Sequence, residues 1–177
     1  MILLGCACAA LVLPAGTGQS PGEAFSSEYT PLTQPPCKTR SVQIEGANSE
    51  QACPGMHGYK LLLLDSDGRM SVTIIGPDGA RHPLEFWNTV TSHFSAVGKR
   101  AEWRIQKHGT QMTPVGVILP LKINEDPDSG AVTPYLVVAR IDSAKVCVVQ
   151  KFRSDASGLV EARKTADSSR EMDCLTQ

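Results

Sequence analysis

The sequence has no excess of charge of either sign: 17 Lys and Arg stand against 18 Asp and Glu, a net charge of -1. The basic residues are scattered, with acids between them. A nucleic-acid partner needs a basic surface that displaces counterions, so none is expected. Nor is there an apolar run of the ~20 residues that a spanning helix needs. No C-x-x-C pair occurs, and the thiols lie too far apart for a usual zinc spacing. A G-x-S-x-G nucleophile turn is missing, as is a glycine-rich phosphate cradle. His57, His82, His93 and His108 stand at no ligand spacing with one another or with a cysteine. No catalytic residue, metal or cofactor is therefore expected.

What the chain does have first is an uncharged, mostly apolar stretch from Met1 to Gly18 that ends in small residues. It reads as a secretory signal peptide. Gly16-Thr17-Gly18 puts small residues at the minus-three and minus-one positions, which favours cleavage before Gln19. No Lys or Arg precedes the apolar run, although a signal peptide ordinarily starts basic, and the simplest account is a true start upstream of Met1. Leu3-Leu4-Gly5-Cys6 spells a lipobox, but the residues after Cys6 stay apolar through Ala15, where a lipoprotein would turn polar. The expected location is periplasmic or secreted, with no stable membrane span after cleavage.

In an oxidising compartment Cys37, Cys53, Cys147 and Cys174 can pair. Four cysteines allow three connectivities. The pairing local in sequence, Cys37–Cys53 and Cys147–Cys174, is favoured. Loops of these sizes stabilise by about 3 and 3.5 kcal/mol in a chain-entropy treatment.

Residues 19–36 are rich in Ser, Pro, Gly and Thr and read as a linker or extended arm. A single domain is expected over 37–177. Tyr59 to Leu64 and Met70 to Ile75 flank a glycine-containing turn, the pattern of a β-hairpin. Phe86, Val90, Phe94 and Val97 recur at helical spacing and predict a short helix over 86–97. Strands are expected at Ala101 to Gln106, Val115 to Ile123, Tyr135 to Ile141 and Val146 to Phe152. Pro120 demands an edge or a bulge. A closing helix is capped by Asp155 or Ser157, with Leu159, Ala162 and Ala166 on one face and Glu161 and Asp167 towards solvent. The predicted fold class is α+β: an antiparallel sheet of six to seven strands, a short mid-chain helix and a disulfide-pinned C-terminal helix.

Asp65-Ser66-Asp67-Gly68 resembles half a calcium loop but runs at once into an apolar strand, so a hairpin turn is preferred. The acidic stretch Asn124 to Gly130 reads as a solvated loop. In a strand, Glu102 and Arg104 point to one face and Trp103 to the other. With Arg140, which interrupts an apolar run, Glu102 and Arg104 make up the candidate binding face; the preferred alternative is a structural cross-strand ion pair beside a core tryptophan, with Glu102–Arg140 as the expected contact.

Cys53-Pro54-Gly55, Gly58-Tyr59, Asp67-Gly68-Arg69, Glu102-Trp103-Arg104 and the closing Ala162-Arg163, Ala166-Asp167 and Cys174 resemble a group of small exported bacterial proteins of unknown function, over about residues 53–174. The resemblance implies an envelope location and supplies no catalytic residue. The leading expectation is a non-enzymatic binding module for a protein or cell-envelope component. Two alternatives stand beside it: an enzyme inhibitor acting through the loop 124–134, and a hydrolase using His93, Glu102 and Asp126.

Overall fold

The apolar runs on either side of Asp67-Gly68 pair as expected, from Lys60 opposite Ile75 to Ser66 opposite Arg69. Both turn residues have positive φ, 52° and 72°, which is the backbone of a tight type I′ hairpin and the reason Asp-Gly suits it. The Asp65 carboxylate accepts a hydrogen bond from Gly68 N at 3.0 Å, so it serves the turn. The computed structural model describes residues 24–43, 48–143 and 145–176. The leader, with its cleavage site and lipobox, lies outside them.

Eleven strands form one sheet. They are β1 (Ala24–Pro31), β2 (Lys38–Gln43), β3 (Asn48–Pro54), β4 (Lys60–Ser66), β5 (Arg69–Ile75) and β6 (Arg81–Pro83), then β7 (Ser95–Val97), β8 (Arg100–His108), β9 (Gln111–Asp126), β10 (Ala131–Ile141) and β11 (Val146–Arg153). The sheet is mixed, because β5 and β7 pair in parallel at Arg69 and Ser95. An α+β fold with six or seven antiparallel strands is thus not what forms. The described residues are mostly β, with two α-helices, α1 (Phe86–Thr89) and α2 (Ala156–Asp167), and a short 3-10 turn at Ser169–Glu171.

Three local readings change with it. Ala24–Pro31, within the expected linker or extended arm, is a full strand paired with β8. Its own residues are mostly small and polar, so its hydrogen-bond partners come from a strand some seventy residues away, beyond the reach of local pattern. The helix expected over 86–97 stops after one turn. Its N-cap, Glu85, is left-handed and makes no side-chain cap, and Thr89-Val90-Thr91 is a β-branched run that disfavours helix. Ser95–Val97 then joins β9 instead. Most of the expected loop 124–134 is also strand, since Asp126 pairs with Ala131 and only a four-residue turn separates β9 from β10.

The sheet folds over one core. Leu61, Leu63, Val72 and Ile74 from β4 and β5 share a buried cluster with Trp103, Ile105, Val117, Leu119, Val137 and Ala139 from β8, β9 and β10. Trp103 is fully buried, and its indole N–H donates to Thr30 Oγ1 at 2.8 Å. This satisfies the one polar group of the largest core side chain. The long strand β9 is the spine, with β10 along one edge and β8 then β7 along the other. Pro120 sits at the junction between β8 and β7. Its carbonyl accepts from Gly98 N at 2.7 Å, and the N–H it lacks would face that same gap, so no ladder bond with β10 is lost.

Both expected disulfides form, Cys37–Cys53 and Cys147–Cys174. The first ties the segment after β1 to β3. The second ties the tail after α2 to β11. Helix α2 begins where Asp155 accepts a hydrogen bond from Gly158 N at 2.7 Å, a standard N-cap. It lies on the outer face of the sheet and buries Gly158, Ala162 and Ala166; the two alanines form a second cluster with Ile118, Leu136, Val138 and Val149. Gly116 sets how close the helix comes. A Cβ there would lie 3.1 Å from both Ala166 Cβ and Ala166 O, and 3.3 Å from Ala139 O. Gly116→Ala must therefore push the helix outward by a few tenths of an ångström, and overpacking of this kind costs about 1 kcal/mol or more. Urea denaturation checks this; equal or higher stability would mean that the helix is not seated on that glycine.

Candidate functional site

Alternation along β8 puts Ala101, Trp103 and Ile105 in the core and Glu102 and Arg104 on the outer face under α2. Both charged residues are buried. A buried charge is tolerated only when it is paired and hydrogen-bonded, and here the helix provides the partners. Arg163 Nε donates to Glu102 Oε1 at 2.6 Å, and Arg163 Nη2 reaches Oε2 at 3.2 Å. One turn later, Asp167 accepts from Arg104 Nε at 2.7 Å and from Arg104 Nη2 at 2.8 Å, a bidentate pair.

The match has a simple geometric cause. Four residues of α-helix rise about 6.0 Å, and two residues of strand rise about 6.6 Å. Arg163 and Asp167 on the helix therefore register with Glu102 and Arg104 on the strand, and the signs are opposite at each place. Ser27 of β1 links the two pairs: its hydroxyl donates to Glu102 and accepts from Arg104. Burial pushes the Glu102 carboxyl up, but hydrogen bonds from Arg163 and Ser27 and the charges of Arg163 and Arg104 outweigh it. The group ends below the ordinary carboxylate range.

Beside this network the outer face opens into a groove of about 910 Å³. Ile118, Pro120 and Leu136 of the sheet line it together with Leu159 of α2. Tyr29 and Pro31 form the β1 side, and Ser154, Asp155 and Ala156 the start of the helix. Lys99 and Arg100 stand at the turn from β7 to β8, and Glu102 and Arg163 also reach the groove. The Arg100 guanidinium lies 4.5 Å from the Tyr29 ring centroid, a cation–π contact. The Tyr29 hydroxyl accepts from Arg163 Nη2 at 3.1 Å. An apolar floor with a few fixed polar groups is the usual make-up of a small-molecule site, and the volume falls in the usual range.

The structure divides the sequence candidates. Glu102 and Arg104 lie together, with Glu102 on the groove wall. Arg140 does not join them, and the expected Glu102–Arg140 contact is absent. Arg140 instead pairs with Asp142 and donates through Nη1 to Met172 O at 3.0 Å, so it latches the tail beyond α2. The physical reason is register: Arg140 and Arg104 stand on opposite sides of Gly116 in neighbouring strands, with α2 lying across them. Asp167 does not face solvent as expected. His93, Glu102 and Asp126 do not gather. Glu102 pairs with Ile118, eight residues back along β9 from Asp126, or about 26 Å at the usual strand rise.

Ser27 and Tyr29 escaped the sequence reading, and Arg163 and Asp167 were placed on the closing helix but not recognised as partners of Glu102 and Arg104. One signal was there to find: Arg163 and Asp167 each directly follow an alanine of the buried helix face, at the i,i+4 spacing that complements Glu102 and Arg104. Among the described residues no helix is long and apolar enough to cross a membrane, and no group of three or more His, Cys, Asp or Glu is placed to hold a metal ion. Comparison of the chain with known protein families, with curated proteins and with solved structures finds no match.

Proposed function

We infer that this is an exported, non-enzymatic binding module, periplasmic or secreted, which holds a component of the cell envelope in the groove beside α2. The groove itself is the observation that carries the reading: a concave, apolar-floored surface walled by side chains that are already fixed in place. Tyr29, Arg163 and Glu102 hold one another by hydrogen bonds, so little side-chain freedom is lost when a ligand arrives. Export rests on the apolar leader at 1–18 and is supported by the two disulfides, which belong to oxidising compartments. A catalytic role finds less support, because both acids that line the groove are engaged, Glu102 in an ion pair and Asp155 as the cap of α2, and no histidine is among the described lining residues.

The test is an amide-resolved NMR titration of the disulfide-bonded protein with cell-envelope extract. Shifts should cluster on β1, the start of β8 and residues 154–163. Ala156→Trp, at an exposed groove position, should fold with unchanged stability and lose those shifts, since the indole occupies the space. Shifts confined to another surface, or shifts at the groove that survive in the Trp variant, would reject the reading.

A further inference from the structure

On that reading of the groove, we propose that its ligand is a single-chain amphiphile with an anionic head, of the long-chain carboxylate type. The argument is one of charge and surface. Three cations line the groove, Lys99, Arg100 and Arg163, against two carboxylates, Glu102 and Asp155. Both carboxylates are committed elsewhere. Glu102 is held by Arg163 and Ser27, and Asp155 accepts from Gly158 N and from the Ser157 hydroxyl. Arg163 is neutralised by Glu102 in turn.

Lys99 and Arg100 are left. Both are exposed, and neither has a carboxylate within ion-pair range among the described residues. They are adjacent in sequence, at the end of the groove where Leu32 N bonds Lys99 O and Gly98 N bonds Pro120 O. The Tyr29 ring beneath Arg100 holds the guanidinium in position at that end. Beside Lys99 and Arg100 the sheet residues of the lining, Pro31, Pro120, Ile118 and Leu136, and Leu159 of α2 are all apolar. A fixed cationic end followed by an apolar trough complements a negative head on a hydrocarbon tail. A neutral apolar molecule would leave the two cations without a counter-charge, and a small hydrophilic anion would leave the trough unused.

The experiment compares decanoate with 1-decanol, both below aggregating concentrations, by amide-resolved NMR on the intact disulfide-bonded protein. Decanoate should saturate shifts at residues 29–31, 99–102 and 154–163, with 1-decanol at least tenfold weaker. The double variant Lys99→Ala, Arg100→Ala changes two exposed side chains; it should keep its fold and erase that preference. Ala156→Trp should abolish binding of both compounds. Equal binding of the two compounds to the groove, lost in Ala156→Trp, would overturn the anionic head and leave the groove reading standing. No decanoate binding while envelope extract still shifts the groove would overturn the ligand class alone. Decanoate binding undiminished in Ala156→Trp would overturn both.

Discussion

Cys147→Ser combined with Cys174→Ser is expected to lower the unfolding free energy by about 3.5 kcal/mol, the loop-closure value for a bridge of this span. The two cysteines are 27 residues apart in sequence, and that stretch contains the whole of α2. Apart from the ion pairs of Arg163 with Glu102 and Asp167 with Arg104, the helix has few anchors. Its buried face is Gly158, Ala162 and Ala166, which together hide little apolar area, and at about 25 cal/mol per Å² small side chains contribute little. Beyond the helix, the tail is held by Arg140 on Met172 O, by the Ser169 hydroxyl on Val115 O at 3.0 Å and by Leu175 N on Val148 O at 2.8 Å. Each of those bonds contributes about 1 kcal/mol net. Equilibrium urea denaturation of the double variant measures the loss. A change below about 1 kcal/mol would mean that the hydrogen bonds hold the tail unaided and that the bridge is incidental to stability.

Glu102→Ala should cost about 2 kcal/mol, because it removes a buried carboxylate and the charge-assisted hydrogen bonds it accepts. The Glu102 side chain is only 9% exposed. Without its carboxylate, Arg163 keeps Tyr29 as its one described hydrogen-bond partner, and the Ser27 hydroxyl loses its acceptor. A cycle of Glu102→Ala, Arg163→Ala and the double variant isolates the coupling between the two residues; additive losses would show that the pair adds no energy of its own. The acid arm of the same experiment has a definite sign. The folded Glu102 carboxyl titrates below its unfolded counterpart, so its contribution is fully present above the unfolded value of about 4.3 and is lost as pH falls through the folded one. The native protein should weaken more steeply than Glu102→Gln as pH falls below about 5. Parallel curves would reject the assignment of that acid sensitivity to Glu102.

Where contacts are local, the sequence showed the fold well. The hairpin around Asp67-Gly68, the strands Tyr135 to Ile141 and Val146 to Phe152, the N-cap at Asp155 and both cysteine pairings are written in short-range pattern: period-two apolar runs, turn residues and a capping aspartate. What failed depends on distant partners. Strand β1 has little apolar content and becomes a strand because β8 offers a free edge. Strand β7 needs β9 beside it, and that pairing replaces the later part of the helix predicted from Phe86, Val90 and Phe94. The site was half legible for the same reason. Alternation placed Glu102 and Arg104 on one face, but their true partners, Arg163 and Asp167, lie about sixty residues later on a helix whose resting place on the sheet is fixed by Gly116. Arg140 was misassigned because a charged residue in an apolar strand looks the same from sequence whether it meets a ligand or the chain's own tail.

Helix α2 separates two duties along its length. Its far end is stitched to β11 through Cys174, while its near end, from Ser154 to Leu159, borders the open trough. The tail's anchorage and the trough's border therefore rest mostly on different residues, with Arg163 serving both the helix–sheet ion pair and the lining. For an engineer this amounts to a fixed frame with one replaceable edge. Side chains at the exposed positions 154 and 156 can be exchanged to reshape the trough, with the anchorage of the scaffold left as it stands.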